Sequence, residues 1–194
     1  MIAGIVLAAG RSMRLGRPKQ TLLLDGQPLV SHVLGAATAS TLDEVVLVLG
    51  YQADLIAGPA GEWGQRTVVN PNFAAGQSTS IHAGLAAIDP SAEAALFLIG
   101  DQPEVSTDII DAVLDAYRAG GGPIVQPAYQ GVPGNPVLFR RDLFSELLLV
   151  TGDEGGRSVL RAHADSIVTV PIRDRALPRD VDTEEDYAAL LAAW

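Results

Sequence analysis

The residues best suited to chemistry stand at the end of the first apolar run, in Leu7-Ala8-Ala9-Gly10-Arg11-Ser12, and in the cations that follow. Small side chains and Gly10 and Gly16 let the backbone approach a ligand, while Arg11, Arg14, Arg17 and Lys19 supply positive charge. This is the composition of an anion cradle. Of the 13 basic residues 12 are Arg, and the single lysine is Lys19, so this position keeps a compact ammonium where the rest of the chain uses a planar guanidinium. The net charge of −10 does not forbid a phosphate ligand. A unit-charge pair at about 4 Å is worth roughly 4 kcal/mol at an effective dielectric of about 20, and exposed charges beyond about 8 Å are largely screened. A solvated surface loop with four exposed cations is the alternative reading.

A second candidate is Asp101 in Gly100-Asp101-Gln102-Pro103, directly after the apolar run Ala94–Ile99. A carboxylate there is a hard oxygen ligand suited to Mg²⁺, which takes one or two carboxylates and completes its shell with water and phosphate oxygens. Its partner is Asp182, just before the last helical stretch, where simple helix capping is an equal reading. Asn70-Pro71-Asn72-Phe73-Ala74-Ala75-Gly76-Gln77-Ser78-Thr79-Ser80 offers Asn70, Gly76, Ser78 and Ser80 as hydrogen-bonding groups for a base or ribose, or as an ordinary turn and cap.

Several chemistries are excluded or disfavoured. There is no cysteine, hence no thiol nucleophile, disulfide or Cys-ligated metal. Lys19 is flanked by Pro18 and Gln20, unlike G-x-x-x-x-G-K-[ST], and five residues separate Gly10 from Gly16, unlike G-x-G-x-x-G. His32, His82 and His163 are scattered without ligand spacing and read as packing or surface residues, and no G-x-S-x-G elbow marks a serine. A pI of 4.6 disfavours nucleic acid and anionic membrane as partners. The apolar N-terminus lacks a basic flank and is too short for a signal or span, so a cytoplasmic protein is expected.

These residues need a scaffold. Apolar runs at Ile2–Ala8, Glu44–Leu49, Thr67–Val69, Ala94–Ile99 and Ile167–Val170 lack polar alternation and predict strands buried on both faces. Helical spacing lies between and after them, at Pro28–Ala39, Gly76–Ile88, Thr107–Ala119, Asp142–Val150 and Thr183–Ala193, with Ser106 and Thr183 as N-caps. The alternation predicts an α/β fold with a mostly parallel sheet. Gly120–Pro136 breaks it and reads as a substrate-side insertion, followed by a strand at Pro136–Phe139, antiparallel in one reading. With 194 residues, 48% hydrophobic, and no linker or repeat, one domain is expected.

Four motifs together, LAAGRSxRLGxPKxxLL from Leu7, GDQP from Gly100, GNPVLFRRDLFSELLLVTGDEGGR over 134–157 and DVDTEEDY over 180–187, give the chain its family likeness. The chain resembles the nucleotidyltransferase family that includes molybdenum cofactor cytidylyltransferase and its guanylyltransferase relatives. The resemblance implies a Rossmann-like α/β/α sandwich of the nucleoside-diphospho-sugar transferase type, with a nucleotide-binding part at about 1–105 and an acceptor-side part at about 106–194. It also implies phosphate contacts from Arg14 and Lys19, nucleotide contacts from Leu7, Ala8, Ala9, Gly10, Arg11 and Ser12, and Mg²⁺ on Asp101 and Asp182. Leu7-Ala8-Ala9-Gly10 matches members that use CTP rather than GTP.

The implied reaction moves CMP from CTP to molybdopterin and releases pyrophosphate. Lys19, Arg14 and Asp101 are its catalytic residues. Gln102, Pro103, Asn135 and Arg157 are expected on the side of the phosphorylated pterin acceptor, and a molybdenum hydroxylase-type oxidoreductase is the expected recipient of the product. Gly134-Asn135-Pro136 departs from the Gly-His-Pro usual in the family, which leaves the acceptor open. GTP, another phosphorylated acceptor, a non-catalytic pterin carrier and an oxidoreductase on the same scaffold are the competing readings.

Overall fold

The computed structural model describes residues 1–61 and 63–194. Strand β1 (Ile2–Ala8) leads through the cation-rich loop and a one-turn 3-10 helix (Lys19–Thr21) to a small hairpin, β2 (Leu23–Leu24) and β3 (Gln27–Pro28). Next come α1 (Leu29–Ala39), β4 (Glu44–Leu49), α2 (Ala53–Ala60), β5 (Arg66–Val69), α3 (Gln77–Ala87) and β6 (Ala94–Ile99). Then follow α4 (Thr107–Arg118), β7 (Ile124–Tyr129), β8 (Val132–Pro133), β9 (Val137–Arg140), α5 (Phe144–Leu147), α6 (Arg157–Ala162), β10 (Ile167–Ile172) and α7 (Glu184–Ala193).

The main sheet runs β10-β7-β9-β6-β1-β4-β5, with β8 attached to β7. Pairs β1–β4, β1–β6, β4–β5 and β7–β10 are parallel, while β9 lies antiparallel to both β6 and β7. Period-2 alternation splits each central strand between two apolar layers. From β1, Ile2, Val6 and Ala8 meet α1, α2 and α4. Ala3, Ile5 and Leu7 face α3, α5 and α6. Each fully buried Leu, Ile or Val contributes about 1.5–3 kcal/mol, which is why apolar runs without polar breaks become central strands. Gly84 lets α3 lie close to the sheet, since a Cβ there would stand 2.5 Å from Ile5 Cγ2.

The mostly parallel α/β/α arrangement and the antiparallel strand near Pro136–Phe139 are as expected. Four expectations are corrected. β5 and β10 are edge strands with partly exposed faces, not strands buried on both sides. The stretch read as an insertion holds β7, a buried strand of the main sheet. Its Pro127 concealed it, and the sheet tolerates that proline where β7 changes partner, from β9 at Val125 to β8 at Ala128. The helix expected over Asp142–Val150 is only α5, preceded by a 3-10 turn. Ser106 stands at the α4 N-cap without a capping bond, because its hydroxyl meets Arg175. Helices α2 and α6 are short and were not anticipated.

Thr183 does cap α7. Its hydroxyl accepts from Asp186 N at 3.1 Å, and the Asp186 carboxylate accepts from Thr183 N at 2.9 Å, a reciprocal box. Leu190 and Val181 pack with Leu15, Leu22, Leu24 and Leu29, and the Tyr187 hydroxyl donates to Leu23 O. This third cluster holds the residues before α7 against the loop that follows β1.

Candidate active site

The loop after β1 is shaped by its own backbone. Leu15 N and Gly16 N donate to Ser12 O at 3.1 and 3.0 Å, Lys19 N donates to Ser12 Oγ at 3.1 Å, and Tyr51 N donates to Ala9 O at 3.2 Å. Ser12 and Gly16 take positive φ, +51° and +68°, to close the turn. The backbone N–H groups of Gly10 through Arg14 have no intramolecular acceptor among the described residues. Such a row of free donors beside cations is an anion-binding concavity.

Lys19, Asp101 and Asp182 meet at the carboxyl end of the central strands. Lys19 Nζ lies 2.6 Å from Asp101 Oδ2 and 2.8 Å from Asp182 Oδ1. Arg14 Nη2 donates to Asp182 Oδ2 at 2.6 Å, and Val181 N donates to Asp101 Oδ2 at 3.2 Å. Burial works against the Lys19 charge, but the charges and hydrogen bonds of Asp101 and Asp182 outweigh it and hold the ammonium above its ordinary pKa. Burial pushes the Asp101 carboxyl above the usual carboxylate range, against the pull of Lys19, with Asp180 and Asp182 adding to the push. For Asp182 burial loses to Lys19 and Arg14, which hold it below that range.

Two cavities share this trio. One, of about 580 Å³, runs under the loop past Gly10, Arg11, Ser12 and Arg14 to Gly76 and Ser80 at the start of α3. The other, of about 270 Å³, has an apolar floor of Ile81, Phe97, Val137, Phe139 and Leu160, with Asn135, Glu154, Arg157 and Asp180 around it. Phe97 and Phe139 pack edge to face, with centroids 5.9 Å apart. Leu7, Lys19, Gln77, Ile99, Asp101 and Asp182 line both. A charged, donor-rich cleft thus opens onto an apolar one at a lysine clasped by two carboxylates.

Of the nucleotide-side residues expected from sequence, the first cavity collects Leu7, Ala9, Gly10, Arg11, Ser12, Arg14, Lys19, Gly76 and Ser80. Ala8 points into the core instead. Asn70 is a brace and does not reach the cavity. Its Nδ2 donates to Thr79 Oγ1 at 2.8 Å and to Ser80 Oγ at 3.1 Å, and its Oδ1 accepts from Asn72 N at 2.9 Å. Ser78 is buried away from both cavities. Of the residues expected from sequence on the acceptor side, Asn135 and Arg157 line the second cavity, whereas Gln102 and Pro103 do not. Gln102 is buried and donates to Asp180 at 2.7 Å. Asn135 is set by Tyr129, whose hydroxyl donates to Asn135 O at 2.6 Å, and its bond to Pro136 is cis.

Sequence reasoning missed several lining residues. Gln20 adjoins Lys19, and Gln77 opens α3. Phe73 sits under the Arg11 guanidinium at 5.5 Å. Asp180 stands in the same DVD segment as Asp182 and could have been found by its charge. The apolar floor could not, because its residues look like ordinary core. The floor of the second cavity draws on Ile81 and Phe97 as well as on residues after position 105.

The residues suit a small hard cation. Asp101 and Asp182 converge on one point, now held by an ammonium, and among the described residues no His, Cys, Asp and Glu form a group of three or more able to hold a metal. Two carboxylates with room for water and phosphate are what Mg²⁺ takes. Among the described residues no helix is long and apolar enough to cross a membrane.

Residues 4–167 match the MobA-like NTP transferase domain. The chain is 31% identical to "Nicotine blue oxidoreductase" of Paenarthrobacter nicotinovorans, over 98% of this chain and 96% of that protein. It is also 31% identical to a molybdenum cofactor guanylyltransferase of Burkholderia vietnamiensis, over 97% and 95%. Among solved structures, Rv0371c of Mycobacterium tuberculosis in complex with manganese superposes with a TM-score of 0.87 at 30% identity, covering 100% of this chain and 99% of that one.

Proposed function

The chain belongs to the MobA-like NTP transferase family and is a nucleotidyltransferase, and we propose that it transfers CMP from CTP to molybdopterin with release of pyrophosphate. The observation that carries this reading is the position of Lys19, Asp101 and Asp182, shared by a donor-rich cleft and an apolar one. A reaction that joins a triphosphate to the phosphate of a second substrate needs its charged groups where the two sites meet.

The N–H groups of Gly10 through Arg14 and the Arg14 side chain receive the triphosphate, and Leu7-Ala8-Ala9-Gly10 favours CTP through the family resemblance. The pterin rests over the apolar floor that includes Phe97, Val137 and Phe139, with Asn135 and Arg157 meeting its polar edge and phosphate. An oxygen of the acceptor phosphate attacks the α-phosphorus. The new P–O bond forms as the bond from the α-phosphorus to the bridging oxygen breaks, and the electron pair leaves with pyrophosphate. A phosphate nucleophile is already anionic near neutrality, so no general base is required. Lys19 and Arg14 stabilise charge building on the leaving group. Asp101 and Asp182 would hold Mg²⁺, whose chemistry there is to neutralise phosphate oxygens. In the free protein Lys19 stands between those carboxylates, and a triphosphate gives its ammonium a third anionic partner. A cytoplasmic setting and a molybdenum hydroxylase-type recipient accompany this reading.

The test is pyrophosphate release from CTP, GTP, ATP and UTP with Mg²⁺, with and without molybdopterin, with Asp101→Ala as control. Release that needs CTP and molybdopterin together and vanishes in the variant is the expected result. Release with GTP corrects the donor. CTP binding without release, with any acceptor tried, overturns catalysis in favour of a carrier. The identity to a protein named as an oxidoreductase favours one second reading, in which the apolar cleft holds a compound to be reduced. Following NADH and NADPH oxidation in the same mixtures separates it.

A further inference from the structure

Gln20 is the polar exception in a segment whose other buried side chains, Leu22 and Leu24, are apolar. It is 2% exposed and lines the larger cavity beneath the loop of free N–H groups. Its Oε1 is buried with no hydrogen-bond partner, and among the described residues its Nε2 donates to no protein acceptor. A buried carboxamide oxygen without a partner is costly, and such atoms in native proteins are nearly always hydrogen-bonded. A side chain kept at that cost is explained by a use for its other end: phosphate oxygens cannot satisfy Oε1, but they can accept from the Nε2 N–H groups beside this cavity.

We propose that Gln20 is a nucleotide-binding residue whose carboxamide N–H donates to the phosphate chain of the bound NTP. This rests on reading that cavity as the triphosphate site. The chemistry is complementary. Phosphate oxygens are acceptors only, and an amide donor adjacent to Lys19 adds a charge-assisted hydrogen bond without adding another cation to compete for Asp101 and Asp182. A leucine at this position keeps similar bulk and removes the orphaned Oε1 together with the Nε2 donors. The two roles open to Gln20 then predict opposite things. A structural role makes Gln20→Leu less stable, whereas a ligand role leaves the free protein as stable or more stable and weakens binding.

Calorimetric titration with CTP and with inorganic tripolyphosphate, both with Mg²⁺, beside thermal unfolding of the free protein, decides between them for wild type, Gln20→Leu and Gln20→Glu. The expected result is binding of both ligands weakened about tenfold or more in Gln20→Leu. Its free protein unfolds at or above the wild-type temperature. Gln20→Glu is expected to bind more weakly still, because a carboxylate then faces the phosphates. Wild-type affinity in Gln20→Leu overturns the inference and leaves the proposed function standing. Loss of CTP affinity with tripolyphosphate affinity intact overturns the phosphate contact. If Gln20→Leu does not fold, normal binding by the near-isosteric Gln20→Glu overturns it equally. A wild type that binds neither ligand overturns both this inference and the triphosphate reading beneath it.

Discussion

Replacing Lys19 with methionine keeps an aliphatic stem and deletes only the ammonium. In the structure that ammonium is 15% exposed and sits 2.6 Å from an Asp101 side chain that is 3% exposed. Asp182, at 33% exposure, retains Arg14, so most of the damage falls on Asp101. Breaking a buried pair by removing one partner costs about 3–5 kcal/mol. For a chain of this size each 1 kcal/mol lowers Tm by about 2–4 °C, so Lys19→Met is expected to unfold about 6–20 °C below wild type. Neutralising the stranded carboxylate in Lys19→Met/Asp101→Asn should recover most of that loss. Turnover should not recover, because Lys19 is also lost from the leaving phosphates, and both variants should release pyrophosphate more than about tenfold more slowly than wild type. Calorimetric melting of the three proteins, beside the pyrophosphate assay, checks both parts. If Lys19→Met melts with wild type, Asp101 does not depend on this ammonium and the energetic argument fails. A near-normal rate in Lys19→Met removes the lysine from the chemistry.

Thr183→Ala removes the capping hydroxyl of α7 and should cost about 1 kcal/mol in urea unfolding, with CTP binding little changed. Gly76 has a φ of +111°, and a Cβ there would stand 2.3 Å from the Gly152 carbonyl carbon. Gly76→Ala must therefore part the two loops that border the cavity, and both Tm and CTP affinity should fall. Asp108 is held below the usual carboxylate range first by its Ser106 hydrogen bond, and Asp142 by its bond from Arg140. Depressed folded values stabilise the protein above the unfolded pKa near 3.8, and that stability is lost as pH falls through the folded values. Urea unfolding from pH 6 to pH 2 should show a falling acid limb below about pH 4 that is shallower in Asp108→Asn/Asp142→Asn. An unchanged slope would count against both contacts.

Much of the positioning scaffold was legible in the sequence because burial on two faces writes itself as unbroken apolar runs. Strands β1, β4 and β6 announce themselves this way, and open sheets of parallel strands bind ligands beyond their carboxyl ends, the region where Lys19 and Asp101 follow β1 and β6. Thr183 was readable for a different reason, since a cap is local chemistry between residues three apart in the chain. Long-range pairing leaves no such trace. Asp182 contacts a lysine 163 positions away, and from sequence it was as good a helix cap as a site residue until the cluster of Leu15, Leu24 and Leu190 folded α7 onto the loop after β1. β7 hid behind Pro127, which only the change of strand partner makes tolerable. Asn70 read equally as a ligand-binding amide or as part of a turn, and packing spends both ends of its amide on Asn72, Thr79 and Ser80; Gln20 stood out in the sequence only as a flank of Lys19, and packing leaves its Oε1 buried without a partner. Residue type determines which chemistry is available. Whether a polar atom is used by the protein or left for a ligand depends on neighbours distant in the chain, and only the tertiary structure decides that.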